Sequence, residues 1–202
     1  MSQTLAALLL FSFVSSVTPG PNNLMLLASG VNFGWRRTMP HMLGVCLGFT
    51  FMVALMGLGL GQIITRFPAL YTLLKYAGAA YLLWLAWKIA RSGPMGSNED
   101  VEIGTPMTFF QACAFQWVNP KAWIMAVTAV ATYVLSNDVL VNALMIAAVF
   151  GVINLPSVAV WVLFGVGMRR ILSNPAHVRI FNFVMAALLV ASLWPIFAEI
   201  LA

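Results

Sequence analysis

Six apolar stretches follow one another along this chain, at residues 5–31, 42–64, 70–90, 107–135, 139–168 and 178–202. Each is near or above the length of about 20 residues that one helix needs to cross a bilayer. The breaks carry turn or charge signals: Gly34-Trp35-Arg36-Arg37, Arg66-Phe67-Pro68, residues 91–105, Ser136-Asn137-Asp138, and the segment from Arg169 to Arg179. Six such stretches leave room in 202 residues for little beyond spanning helices and their turns. Composition removes the soluble alternative. Hydrophobic residues make up 62% of the chain and charged residues 7%, with a mean hydropathy of +0.95. A soluble domain carries roughly 25% charge. Ten Lys+Arg, five Asp+Glu and two His cannot clothe a water-facing surface of this size. The apolar share also argues against a β-barrel, whose lumen-facing positions alternate polar. The expected fold class is all-α: a polytopic membrane protein with six transmembrane helices, in one domain over residues 1–202.

The formal charge of +5 sits in short basic clusters between apolar runs, so it reads as a topology signal and not as a nucleic-acid surface. The first, third and fifth loops hold Arg36, Arg37, Lys88, Arg91, Arg169, Arg170 and Arg179, against Arg66 and Lys75 on the other side. The richer side is expected in the cytoplasm, which makes both termini extracytoplasmic. Residues 5–17 have the length of a signal-peptide core. No Lys or Arg precedes them and no small-residue cleavage site follows, so they are read as part of the first span.

The halves resemble each other. At an offset of 107, Gly44-Val45 falls on Gly151-Val152, Pro68-Ala69 on Pro175-Ala176, and Ala79-Ala80 on Ala186-Ala187. One position out of step, Gly59-Leu60-Gly61 answers Gly165-Val166-Gly167. Repeats of three spans each, 1–92 and 106–202 around a linker at 93–105, must sit in opposite orientations in the membrane. That is the inverted-repeat plan of many secondary transporters.

Two spans carry helix breakers. The first contains Thr18-Pro19-Gly20-Pro21-Asn22-Asn23, and the fourth contains Asn119-Pro120-Lys121. Proline cannot donate a backbone hydrogen bond, and Gly20 relaxes the chain between two prolines. Breaks at membrane depth leave backbone groups unpaired and are tolerated only inside protein or beside a polar cavity. Paired breaks point to a transport site. The plainer alternative makes 5–17 and 107–118 interfacial helices, with spans beginning at Asn22 and Lys121. Lys121 is the one charge far inside an apolar stretch. It meets either a carboxylate on a substrate or carbonyls freed by Pro19, Pro21 and Pro120. The candidate site residues are Pro19, Gly20, Pro21, Asn22, Asn23, Asn119, Pro120, Lys121 and Asn154. Gln111, Gln116, Asn142 and Asn182 are read as structural amides, and His41 as a satisfied residue at the membrane boundary. Cys46 and Cys113 lie in apolar surroundings without CxxC or metal spacing, so no metal or cofactor is expected. Gly44-x-x-x-Gly48 with Gly57, Gly59 and Gly61 reads as close-packing faces, within one chain or between two in a homo-oligomer.

Thr18-Pro19-Gly20-Pro21-Asn22 resembles the opening motif of the LysE/RhtB family of amino acid exporters. Gly44-x-x-x-Gly48, the run from Gly78 to Lys88, and Asn119-Pro120-Lys121 are similar to later motifs of that family. The resemblance covers residues 18–121 and, more weakly, the remainder. Pro19 to Asn23, Gly48-Phe49 and Ala86-Trp87-Lys88-Ile89-Ala90 look most like its cysteine/O-acetylserine branch. Many relatives carry Asp where this chain has Phe49, so an acidic proton carrier there is not expected. The resemblance implies efflux of a small zwitterionic amino acid or related metabolite across the bacterial inner membrane, with protons as coupling ion. The residues themselves leave two rivals: a thiol redox carrier using Cys46 and Cys113, and a passive channel. No Walker-type glycine loop supports an ATP pump, and no His/Asp/Glu cluster supports an enzyme.

Overall fold

A computed structural model describes residues 2–92, 105–172 and 174–194. The described residues are helical, with no strand among them. The helices are α1 (Ser2–Val17), α2 (Pro21–Leu55), α3 (Gly61–Arg66), α4 (Pro68–Arg91), α5 (Phe109–Gln116), α6 (Pro120–Thr132), α7 (Val139–Ile171) and α8 (Pro175–Ala191). A π-turn over Met56–Leu60 joins α2 to α3. The expected linker at 93–105 lies outside the described residues except for Thr105.

The helix starts follow local chemistry. Proline opens α2, α4, α6 and α8, at the position where a missing N–H costs nothing. Asn119 and Asn174 cap α6 and α8, their side-chain oxygens accepting from Lys121 N at 3.1 Å and Ala176 N at 2.9 Å. Thr108 and Gln111 close a reciprocal capping box on α5.

Where a loop over 34–37 is expected, the chain reverses at one residue. Gly34 has φ 76° and ψ 178° inside an otherwise helical run. The Ser29 and Thr38 hydroxyls, nine positions apart, meet at 2.8 Å, so the two arms of α2 fold back on each other. Arg36 and Arg37 are already helical and exposed. This backbone region is open to glycine alone, and a side chain there costs about 1–3 kcal/mol. Gly34→Ala should therefore lower the melting midpoint of the purified protein. Gly61→Ala, at a helical position with only Met56 Sδ nearby at 3.8 Å, should leave it unchanged or raise it.

Contacts give the directions. α1 runs parallel to α7: Phe11 meets the edge of Phe150 at 6.2 Å, and Val17 meets Trp161. Past Gly34, α2 runs antiparallel to α7, with Thr50 against Gly151 and Gly57 against Ala143. α5 runs alongside this second arm, with Phe109 against Gly44, Cys113 against Gly48 and Trp117 against Phe51. So Gly44 and Gly48 are used inside the chain. Gly78 of α4 lies on the Val118 carbonyl, and Tyr81 packs on Phe115. α1 and α5 are thus seated in the bundle, with Leu8, Ala112 and Phe115 buried.

Polarity is arranged inside out. Ser12, Gln116, Asn119 and Asn182 are at most 1% exposed, while Phe110, Val152 and Leu10 are 80%, 72% and 65% exposed. Pro21–Leu60 and Val139–Arg169 are long and apolar enough to cross a membrane. An apolar exterior around hydrogen-bonded amides suits hydrocarbon as the surrounding solvent.

Candidate functional site

The first interruption, Thr18-Pro19-Gly20, leaves five carbonyls without their usual helical partners, and each finds another. The Ser15 carbonyl, facing Pro19, accepts from Thr18 Oγ1 at 3.1 Å. That of Ser16 accepts from Asn23 Nδ2 at 2.9 Å. That of Val17, facing Pro21, accepts from Trp161 Nε1 at 3.0 Å. The Thr18 carbonyl takes Asn23 Nδ2 and Lys121 Nζ, both at 2.7 Å. The Pro19 carbonyl takes Lys121 Nζ at 3.2 Å. A third bond, from Nζ to Thr18 Oγ1 at 3.0 Å, completes the ammonium's three donors. Lys121 thus meets freed carbonyls in this conformation, the plainer of the two expectations.

The second interruption follows Gln116, and the two breaks cross antiparallel. Thr18 pairs with Lys121, whereas Asn22, four positions later, pairs with Gln116, five positions earlier. Asn22 Nδ2 donates to Gln116 Oε1 at 2.8 Å, and Gln116 Nε2 returns a bond to Asn22 Oδ1 at 3.2 Å. Gln116 ties the two breaks together without lining the cavity between them, in keeping with the structural role expected of it. Its position on the last turn of α5, facing the break, was the signal available.

Between the breaks lies a polar cavity of about 30 Å³. Gly20, Asn22, Asn23, Asn119, Lys121 and Asn154 all line it, with Ser16 beside them and Phe49, Met125 and Val158 as apolar walls. Pro21 and Pro120 line instead an outer groove of about 320 Å³, walled also by Phe11, Ile124 and Thr128. Pro19 takes part through its carbonyl. Lys121 borders both spaces, and its chain rests on Gly20: a Cβ there would come within 2.6 Å of Lys121 Cδ. Asn154 and the Ser16 hydroxyl reach the cavity wall without a protein partner among the described residues. The inner cavity holds roughly a water or two, less than any amino acid.

The electrostatics favour an anion. The first turns of α2 and α6 reach the cavity from opposite directions, each carrying the positive end of a helix dipole. The Lys121 ammonium adds a full charge. None of the lining residues is acidic.

One expectation changes. His41 is not a satisfied boundary residue: it is 2% exposed and neither ring nitrogen has a hydrogen-bond partner. A buried polar atom left unpaired costs about 1–3 kcal/mol. Cys46 and Cys113 are free and donate to the Gly151 and Gly44 carbonyls at 3.5 and 3.3 Å, each against a neighbouring helix. Asn182 is structural as expected, exchanging bonds with Asn32 at 2.8 and 3.0 Å.

Two interrupted helices meeting over a polar cavity, inside a bundle with an apolar exterior, are the construction of a membrane transporter. The chain belongs to the LysE type translocator family, which it matches over residues 13–192. It is 33% identical to the cysteine/O-acetylserine efflux protein of Escherichia coli, over 92% of this chain and 93% of that protein. The proteins of the same name from Shigella sonnei and Shigella flexneri match it to the same degree. No solved structure matches the chain.

Proposed function

We propose that this protein is a secondary exporter of small amino acids and related metabolites, with cysteine and O-acetylserine as substrates, as its relatives' names indicate. The observation that carries this reading is the small cavity where two helix starts and one ammonium converge with no acidic residue among the described lining. A substrate carboxylate supplies the missing charge. It competes with the Thr18 and Pro19 carbonyls for Lys121, while Asn154 and the amides of the two breaks receive the substrate ammonium. Because the cavity is smaller than its cargo, this conformation is the closed one. Movement of Lys121 off Gly20 opens the site to the outer groove.

The architecture that goes with this reading is six spans in two inverted repeats, 1–92 and 106–202. α1 with the first arm of α2 forms one broken span, and α5 with α6 the other. The antiparallel crossing of the two breaks supports it, as inversion requires. Both termini are extracytoplasmic in this arrangement, the arginine-rich turns face the cytoplasm of a bacterial inner membrane, and protons drive the export. A C-terminal alkaline phosphatase fusion should be active and a fluorescent-protein fusion dark, and the reverse pattern would invert every turn.

Export is tested in proteoliposomes with labelled O-acetylserine and an imposed pH gradient. Uphill movement that collapses with the gradient is the expected result. Equilibration without accumulation would instead make the protein a passive channel.

A further inference from the structure

A second cavity, of about 50 Å³, lies between both arms of α2, the second half of α4 and the chain leading into α5. His41 lines it, buried and with both ring nitrogens unpartnered. Other polar groups on its wall are already engaged. Ser29 is bound to Thr38. Asn32 is bound to Asn182 and the Ala28 carbonyl. Gln111 is held in the α5 capping box. The His41 imidazole, the Tyr81 hydroxyl, the Thr105 hydroxyl and the Lys88 ammonium remain unengaged by protein hydrogen bonds among the described residues. Tyr81, Trp84 and Lys88 share one face of α4. Tyr81 stacks on Trp84 at 5.3 Å, and Lys88 Nζ lies over the same ring at 5.3 Å. That indole positions the cation at the rim.

The chemistry of this wall is specific. An imidazole N–H, a phenol, a hydroxyl and an ammonium can all donate, and none of the described residues lining the cavity is acidic. An ammonium beside groups that can each donate a hydrogen bond suits a carboxylate. The apolar remainder, Met25, Leu85 and Met107, suits a short carbon chain beside it. The cavity sits on the side of the bundle that carries Arg36, Arg37 and Arg91. Asn32 on its wall is ten positions along α2 from Asn22 on the central cavity, about 15 Å of helix. One helix therefore borders both spaces.

We propose that the cavity around His41 is a second binding site, for the carboxylate of a small amphipathic acid held by Lys88 and His41, and that the exported amino acid loads there before reaching Lys121. The loading role rests on the exporter reading above; the carboxylate site itself does not.

The chain has two histidines, and the other, His177, is exposed at the start of α8. In His177→Gln protein labelled at histidine and held in lipid nanodiscs, the ring NMR signals report on His41 alone. Titration with O-acetylserine, and separately with propionate, should move them saturably beyond sodium chloride at matched ionic strength. Lys88→Met should weaken the half-saturation about tenfold or more, as expected for loss of a charge-assisted bond, and Lys88→Arg should recover most of it. Lys121→Met should leave the titration unchanged. Signals that neither acid moves beyond chloride would overturn the site, as would a response that vanishes in Lys121→Met and survives Lys88→Met. A response to propionate with none to O-acetylserine would overturn the loading role. Failure of the exporter reading shows separately, as absent O-acetylserine export from proteoliposomes whatever His41 does.

Discussion

Lys121→Met should insert and fold, yet lose export. The substitution keeps much of the apolar stem and removes the charge. Folding survives because Lys121 is not the sole support of the first break. The Thr18 carbonyl keeps Asn23 Nδ2 at 2.7 Å, and the Val17 carbonyl keeps Trp161. Only the Pro19 carbonyl loses its partner, at a cost of about 1–3 kcal/mol if it stays dry and less beside the outer groove. The proposed transport role has no such reserve, because no other charged residue lines the central cavity among the described residues. Losing the ammonium from the proposed pair of Lys121 with a substrate carboxylate costs about 2–5 kcal/mol once the pair is enclosed, a factor of roughly 30 to several thousand in binding. Initial efflux from proteoliposomes should therefore fall at least about thirtyfold, with unchanged elution on size exclusion. Lys121→Arg should retain at most part of the activity, because a planar fork does not replace a compact ammonium. Wild-type export by Lys121→Met would reduce Lys121 to a structural tie and move the search to the amides.

A large loss of stability is expected at Gly165. A Cβ there would run into the Leu27 carbonyl and lie 3.1 Å from Gly30 Cα and Val31 N. From the other side, a Cβ at Gly30 would reach the Val162 carbonyl at 2.6 Å and Gly165 Cα at 3.2 Å. The two backbones touch through paired glycines, so there is no flexible side chain to give way. Overpacking costs about 1–3 kcal/mol even where side chains can adjust. Gly165→Leu should exceed that, lowering the midpoint of thermal unfolding by about 10 °C or preventing recovery of monodisperse protein. Gly167→Leu is the control: it lies on the same helix, two positions on, with nothing within 4 Å of its Cβ. Equal behaviour of the two variants would show that the α2–α7 approach is looser than described.

Much of the candidate site was legible because its residues break local rules. Pro19, Pro21 and Pro120 interrupt apolar runs that otherwise specify unbroken helix, and Lys121 is a charge where hydrocarbon is expected. Such conflicts need no tertiary information to be seen. Gln116 and His41 were harder. A glutamine near a helix end and a histidine after Pro40 break no local rule. Whether Gln116 meets solvent or Asn22, and whether His41 finds a partner, depends on helices far away in sequence. The reversal at Gly34 was hidden for a similar reason. Gly-Trp-Arg-Arg signals a turn, but only the Ser29–Thr38 contact reveals that one residue makes it.

The apolar runs and the scarcity of charge determined by themselves that this chain is helical and bound for a membrane. In a medium without water every backbone group must find a partner inside the protein, and an unbroken helix supplies nearly all of them within its own segment, so that requirement can be read one segment at a time. Pro21, Pro68, Pro120 and Pro175 likewise marked where helices begin, since a missing N–H acts within one turn, whereas Pro40 and Pro156 lie inside α2 and α7. What closes each break was decided only in three dimensions. The carbonyls released at 15–19 are paired by Thr18, Asn23, Trp161 and Lys121, and the last two stand more than a hundred positions away in sequence. Hydrogen bonds act over about 3 Å, so partners that distant in sequence come within reach only once the glycines of α2 and α7 have brought the backbones together.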